Sequence, residues 1–206
     1  VPAGAGPFPL VVMPSSWGIN YFEYIGVANR LASRGYVVVS YSSRGFGIGC
    51  AFVPTCGAID IAGPDTVRDV STVIDWALAN TPADPSAIGV SGISYGAGNS
   101  LLAAARDPRI KAVAALSGWA SLADSLYANH TPSAQGVLLL SFACYLGKPG
   151  PLMQAVNQHV ANLDFLGAVE AVLPQADVRS PATEVDRLNE NGTAVLLANA
   201  FEDSLF

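Results

Sequence analysis

Charge is scarce in this chain. Lys, Arg, Asp and Glu supply 13% of its 206 residues, against 51% hydrophobic residues. Ten basic residues stand against sixteen acidic ones, a net charge of −6, and the basic residues form no cluster. Nucleic acid is therefore not an expected partner, because it needs a concentrated positive surface. Long hydrophobic runs are missing too. No apolar stretch reaches the roughly 18 residues that span a bilayer. The longest, AQGVLLLSFACYLG at 134–147, is interrupted by Gln135 and Ser141 and reads as a buried or lid helix. Histidine occurs only as His130 and His159, and His, Cys and carboxylates form no ligand cluster. No metal and no organic cofactor is expected. Of three cysteines, Cys50 and Cys56 flank a short loop-like stretch and are spaced to close a small disulfide, while Cys144 lies in an apolar segment and reads as a buried thiol. A 50–56 disulfide implies an extracytoplasmic, secreted protein. The chain opens at Val1 without a Met or a visible signal peptide, which suggests a processed chain or a fragment.

What is present is alternation. FPLVVMP (8–14) and YVVVSY (36–41) are short, continuous apolar runs, as buried parallel strands are. Between them, Asn20 and Glu23 resemble a capping box, Tyr24, Val27, Ala28 and Leu31 repeat at helical spacing, and Gly35 stands where a helix ends. A glycine-rich loop, 42–63, leads to a helix opened by Pro64 and Asp65, with Val67, Val70, Ile74, Ala77 and Leu78 on one face. AIGVSG is a strand, SYGAGNSLLAAARD a helix, KAVAALSG (111–118) a strand and TAVLLANA (193–200) the last strand. Residues 121–188 carry helical patterns and no clear strand. This order builds a mostly parallel α/β sheet through right-handed crossovers.

At the third strand's end stands GISYG, a G-x-S-x-G motif centred on Ser94. Five letters alone are a weak signal, and an idle serine in a glycine-rich turn also fits them. Context strengthens it: a strand precedes and a helix with small residues follows, so a sharp turn would lift Oγ above the sheet. Gly92 and Gly96 would flank that turn, and Gly98 would let the helix approach the sheet. A nucleophilic serine needs a base, and the base an orienting carboxylate. In this strand–turn–helix arrangement the acid lies beyond a later strand, where Asp203 follows TAVLLANA. Glu202 is adjacent but would point elsewhere, and Asp124 is the alternative acid. The histidine should come after the acid; His130 and His159 both precede it, so the base is expected outside residues 1–206. An oxyanion hole would use the Tyr95 N–H and a donor from Ser15 or Ser16 in MPSSWGIN.

Together, RGYVVVSYSSRGFGIG, GPDTVRDVSTVIDWALA, IGVSGISYGAGNSLLAAA, IKAVAALSGW and the stretch from Arg179 to Phe206 resemble the α/β-hydrolase family of X-prolyl dipeptidyl peptidases, cocaine esterase and related acyl hydrolases. The resemblance implies an α/β-hydrolase fold with helices on both sheet faces. Its core would comprise 1–120 and 189–206, with a helical cap inserted at 121–188. It implies five strands in spatial order 4-3-5-6-7 of the fold's usual numbering. Ser94 falls on the nucleophile, Asp203 on the triad acid and Trp119 on the acyl-pocket lining. Family members commonly carry Pro-Tyr after the first of these strands, with the tyrosine in the oxyanion hole; here Pro14 precedes Ser15. The expected function is a serine hydrolase of a small-molecule or peptide ester or amide. An acyltransferase with the same serine and a non-catalytic binding protein of the same fold remain alternatives. A nucleotide-binding domain is disfavoured, because MPSSWG lacks the G-x-G-x-x-G turn.

Overall fold

The computed structural model describes residues 1–145 (Ile48 by its backbone alone), 147–201 and 203. Its centre is a five-stranded sheet of β1 (Phe8–Pro14), β2 (Val37–Tyr41), β3 (Ala83–Ile93), β4 (Ile110–Leu116) and β5 (Ala194–Ala198). The spatial order is β2-β1-β3-β4-β5 and each neighbouring pair is parallel. This is the 4-3-5-6-7 order that the resemblance implies. The chain steps outward from β1 to β2, then returns across β1 to β3. The order thus reverses between β1 and β3, and the loops leaving their carboxyl ends diverge around a crevice.

One sheet face carries most of the core. Leu10, Val12, Ile88, Val90, Val113 and Ala115 are buried there among residues of α2 (Pro64–Asn80) and α3 (Tyr95–Arg106). The expected stripe of α2 is buried at Val67, Val70, Ile74 and Ala77, with Leu78 half-buried. In α3 every residue from Tyr95 to Ala105 is buried. Two local expectations change. The capping box does not form: Asn20 caps a 3-10 turn at Tyr21–Tyr24 by accepting from the Phe22 N–H, while Glu23 turns away to Ser16. The helix α1 (Ile25–Ala32) buries none of its residues, and of the predicted apolar face only Tyr24, just before it, is buried. β5, expected as the last strand, forms and is exposed along its length. Its sequence is apolar because strands of this kind are ordinarily covered, but among the described residues only β4 pairs with it.

Between β4 and β5 lie α4 (Leu122–Tyr127), α5 (Ala134–Cys144), α6 (Pro151–Ala161), α7 (Phe165–Val172) and α8 (Val185–Glu190). α5, α6 and α7 pack on one another, whereas α8 packs on α3. The long loop after β2 is not loose. Cys50 and Cys56 are disulfide-bonded, with their Cα atoms 5.3 Å apart. Ile59, Ile61 and Ala62 are buried, and backbone bonds tie the loop to the α5–α6 connection: Ile59 N–H to the Lys148 carbonyl at 2.8 Å and Lys148 N–H to the Gly45 carbonyl at 2.8 Å. Cys144 is a buried free thiol whose pKa burial pushes up to about 12, which leaves it protonated and unreactive at neutral pH. Among the described residues no helix is long and apolar enough to cross a membrane.

Candidate active site

Ser94 stands between the end of β3 and the start of α3 with φ 55° and ψ −118°. A side-chain-bearing residue rarely adopts a positive φ, and such strain persists only where the surroundings enforce it. The surroundings here are two glycines. A Cβ on Gly92 would collide with the Gly96 backbone, and one on Gly96 would collide with the Pro14 carbonyl oxygen. The turn can therefore close tightly against the end of β1 only with glycine at both positions. The Ser94 N–H is bonded to the Leu116 carbonyl at 2.8 Å, and its carbonyl accepts from the Ala97 and Gly98 N–H groups, starting α3. Gly98 serves a different neighbour than expected. A Cβ there would strike the Trp119 ring, so this glycine makes room for the tryptophan.

The carboxyl ends of the neighbouring strands are held in line with this turn. The Ser117 N–H donates to the Ala198 carbonyl at 2.8 Å, and Asn199 Nδ2 donates to the Gly118 carbonyl at 3.2 Å. Beyond Asn199, Asp203 is half-buried and its N–H donates to the Ala200 carbonyl at 3.2 Å. Ser94 and Asp203 thus each follow the carboxyl end of a strand, β3 and β5, in one parallel sheet. Glu202 lies outside the described residues. Asp124 sits in the first turn of α4 and lines a groove of about 800 Å³ beside β5.

On the other side of Ser94 is the loop after β1. Both serines expected to donate to an oxyanion are engaged elsewhere. The Ser15 N–H extends the sheet to the Tyr41 carbonyl at 3.1 Å, and its Oγ accepts from the Ser43 N–H at 3.1 Å. The Ser16 N–H donates to Glu23 at 2.9 Å, and its hydroxyl serves Glu23 and the Ile93 carbonyl. Tyr24 completes the seam, donating to the Pro14 carbonyl at 3.1 Å and accepting from the Ile93 N–H at 3.0 Å. Burial raises its pKa to about 12, so at neutral pH it is a neutral strut. The loop residue that reaches the Ser94 cavity is Trp17. Its ring packs edge-on against Tyr95 and Phe46, each with centroids 4.8 Å apart, and its Nε1 donates to the Leu140 carbonyl of α5 at 3.2 Å.

The cavity at Ser94 measures about 30 Å³ and is lined by Trp17, Ile61, Tyr95, Trp119, Leu122, Leu126, Gly136, Leu139 and Leu140 besides the serine. Neither His130 nor His159 belongs to this lining. His130 packs edge-on to Tyr127, and His159 Nδ1 pairs with Asp164 at 2.8 Å on an exposed surface. Trp119 donates through Nε1 to the Arg179 carbonyl at 2.7 Å. Arg179 in turn is buried and ion-paired with Asp60 at 2.9 Å, and the Asp60 carbonyl accepts the Tyr95 hydroxyl. Burial also pushes the Tyr95 phenol well above its ordinary value, so this hydroxyl is structural rather than an acid or base. Sequence reasoning missed Trp17, although a tryptophan in the loop after the first strand was a visible signal. It also missed the Asp60–Arg179 pair, which one sequence cannot announce. Among the described residues no group of three His, Cys, Asp or Glu side chains could hold a metal ion.

Residues 1–206 match the family model described as X-Pro dipeptidyl-peptidase (S15 family). Among solved structures the chain is similar to 2,6-dihydroxy-pseudo-oxynicotine hydrolase, with 21% identity over 97% of this chain and 54% of that one and a TM-score of 0.57. Acetyl xylan esterase from Paenibacillus sp. R4 is similar at 15% identity, over 96% and 69% of the two chains, with a TM-score of 0.53. Acylaminoacyl peptidase from Pyrococcus horikoshii is similar at 19% identity, over 96% and 33%, with a TM-score of 0.54. The chain spans about half the length of the first of these and a third of the last. No curated protein matches it in sequence. The likenesses bear out the expected α/β-hydrolase fold.

Proposed function

The chain belongs to the X-Pro dipeptidyl-peptidase (S15) family, and on that premise we propose that it works as a serine hydrolase, cleaving an ester or amide through an acyl-enzyme on Ser94. The observation that carries this reading is the positive φ of Ser94 between two glycines whose Cβ positions are already filled. An idle serine gains nothing from that strain, whereas a nucleophile gains an Oγ raised above the sheet. Oγ attacks the carbonyl carbon as its proton passes to a histidine, which we place outside residues 1–206. Asp203 orients that imidazole and stabilises its charged form. The carbonyl oxygen, now negative, is received by the Tyr95 N–H and by the N–H of Trp17, the loop residue that lines the cavity. Ser15 and Ser16 hold that loop in place through the bonds already described. The histidine returns its proton to the leaving alcohol or amine, and water then releases the acyl group by the same route in reverse. The helical segment between β4 and β5 acts as a cap, bringing α4 and α5 over the serine, and Trp119 walls the acyl pocket. The Cys50–Cys56 bond favours an oxidising, extracytoplasmic location.

A fluorophosphonate probe tests this on the full-length protein. One label per chain is expected, on Ser94, and none in Ser94→Ala. Asp203→Asn should lower kcat on the order of 10³–10⁴-fold with folding intact. A folded wild-type protein that stays unlabelled overturns the reading.

A further inference from the structure

We propose that the pocket beside Ser94 accepts a short, uncharged acyl group of about two to four carbons, and that Leu139 of α5 is the residue that sets this limit. The inference rests on Ser94 being the nucleophile and names the substrate class of that same site. Size comes first. A water-sized group occupies about 10–15 Å³ of such space, so a cavity of about 30 Å³ holds two or three of them. That is room for at most the propyl of a butyryl ester, and so also for the methyl or ethyl of an acetyl or propionyl one. Chemistry comes second. Apart from Ser94 the side chains of the lining are aliphatic or aromatic, with none charged. The Tyr95 hydroxyl is spent on the Asp60 carbonyl and the Trp119 indole N–H on the Arg179 carbonyl. An acyl chain ending in an ammonium or carboxylate would lose its hydration there and find no counter-charge.

The walls are unequal. Leu122 and Leu126 are buried in the core behind the cavity, and the buried Trp119 ring, fixed by its bond to the Arg179 carbonyl, divides it from the groove beside β5, whereas Leu139 is 44% exposed, with one side on the cavity and the other on solvent. It is the thin wall. Beyond it the surface of α5 stays apolar, with Phe142 one turn further on and exposed. A longer acyl chain would run onto that surface if Leu139 were not in its way. The helix cannot simply retreat. Trp17 Nε1 holds the Leu140 carbonyl at 3.2 Å, and Gly18 lies so close to Ala143 that a Cβ on it would come within 2.8 Å of the alanine's. The stop is therefore preset rather than adjusted by each substrate.

The test measures kcat/KM of the full-length protein on 4-nitrophenyl acetate, butyrate, hemisuccinate and octanoate. Acetate and butyrate are expected to exceed octanoate by about 10–100-fold, the range that a few misplaced methylenes cost in a closed pocket. Butyrate should exceed the equally long but charged hemisuccinate by a similar factor. Leu139→Ala should raise the octanoate-to-acetate ratio about tenfold or more, and Leu139→Phe should lower the butyrate-to-acetate ratio. Unchanged thermal unfolding in both variants would show that the ratios report the pocket. A wild-type preference for octanoate or hemisuccinate, or ratios unmoved by both substitutions, overturns the proposal. Fluorophosphonate labelling separates the two levels: Ser94 labelled with a flat chain-length profile defeats the size limit alone, whereas no labelling and no turnover defeats the serine mechanism itself.

Discussion

At the scale of single residues, the fold tells its glycines apart. Gly96 is fixed by contact: the Pro14 carbonyl oxygen occupies the place its Cβ would take. Gly26, in α1, has nothing within 4 Å of that place and an ordinary helical φ. Opposite outcomes follow for the same substitution. Gly96→Ala should destabilise by about 3 kcal/mol, the upper end of overpacking costs, because the obstacle is backbone and cannot rotate away. It should also abolish fluorophosphonate labelling, since Ser94 sits on the turn that must open. Gly26→Ala should stabilise by about 0.5–1 kcal/mol, because alanine loses less backbone entropy in a helix. Urea denaturation of both variants measures the two signs. If Gly96→Ala were neutral, the elbow would be looser than its contacts indicate.

At the scale of elements, the joint between α2, α3 and β4 is electrostatic. Asp107 caps the end of α3. It accepts from Ser71 Oγ on α2 at 2.8 Å and from Arg109 Nε and Nη2 at 2.9 and 2.7 Å, while Arg109 Nη1 reaches Asp75 of α2 at 2.6 Å. Burial alone would raise the Asp107 pKa, but the bonds from Arg109 and Ser71 outweigh it and hold the carboxyl below its ordinary value. A carboxylate depressed in the folded state adds stability above its unfolded pKa, and that stability is lost as pH falls through the folded value. The wild-type protein should therefore lose stability as pH falls from about 5 through the ordinary aspartate pKa near 3.9 and on towards the lower folded value. Asp107→Asn should be weaker by about 1.5–3 kcal/mol at pH 7, the worth of hydrogen bonds to a charged group. Its urea midpoint should fall less steeply with acid, so that the two curves converge. Parallel curves would mean that Asp107 is not the group responsible. None of this joint was legible beforehand. The helices themselves were, because Val67, Val70, Ile74 and Ala77 follow the helical period and are buried as that period requires. So was the turn at Ser94, because its glycines and flanking elements are local. Partners distant in sequence leave no such trace: Asp60 and Arg179 lie 119 positions apart, and nothing near either names the other. Glu23 shows the converse. A local pattern matched a capping box, but a nearby serine N–H competed for the carboxylate and won.

At the scale of the whole molecule, apolar composition and burial part company at one edge of the sheet. The order of strands could be deduced from the resemblance, and apolar strands of a parallel sheet are ordinarily covered on both faces. β5 departs from that. Val195, Leu196 and Leu197 are 44%, 62% and 66% exposed, although successive side chains of a strand point to opposite faces. Both faces of β5 are therefore open, and so is its outer row of backbone groups. On the α3 side the strand borders the groove of about 800 Å³, whose walls include Leu101, Val185 and Leu188. A parallel-sheet edge this apolar, without a charge or proline of its own, invites another chain to pair with it. A net charge of −6 spread over 206 residues is a weak deterrent to that contact. Residues 1–206 expressed alone should consequently self-associate at micromolar concentration and enhance the fluorescence of an apolar dye. Leu196→Lys should shift the population towards monomer in sedimentation velocity, because each new contact at the edge would bury an ammonium group beside its own copy. Leu138→Lys, on the exposed face of α5, changes charge equally but leaves β5 apolar and should not have that effect. If both variants behave alike, association is governed by net charge; if the wild-type chain is monomeric and dark, the β5 edge is protected in a way its exposure does not convey.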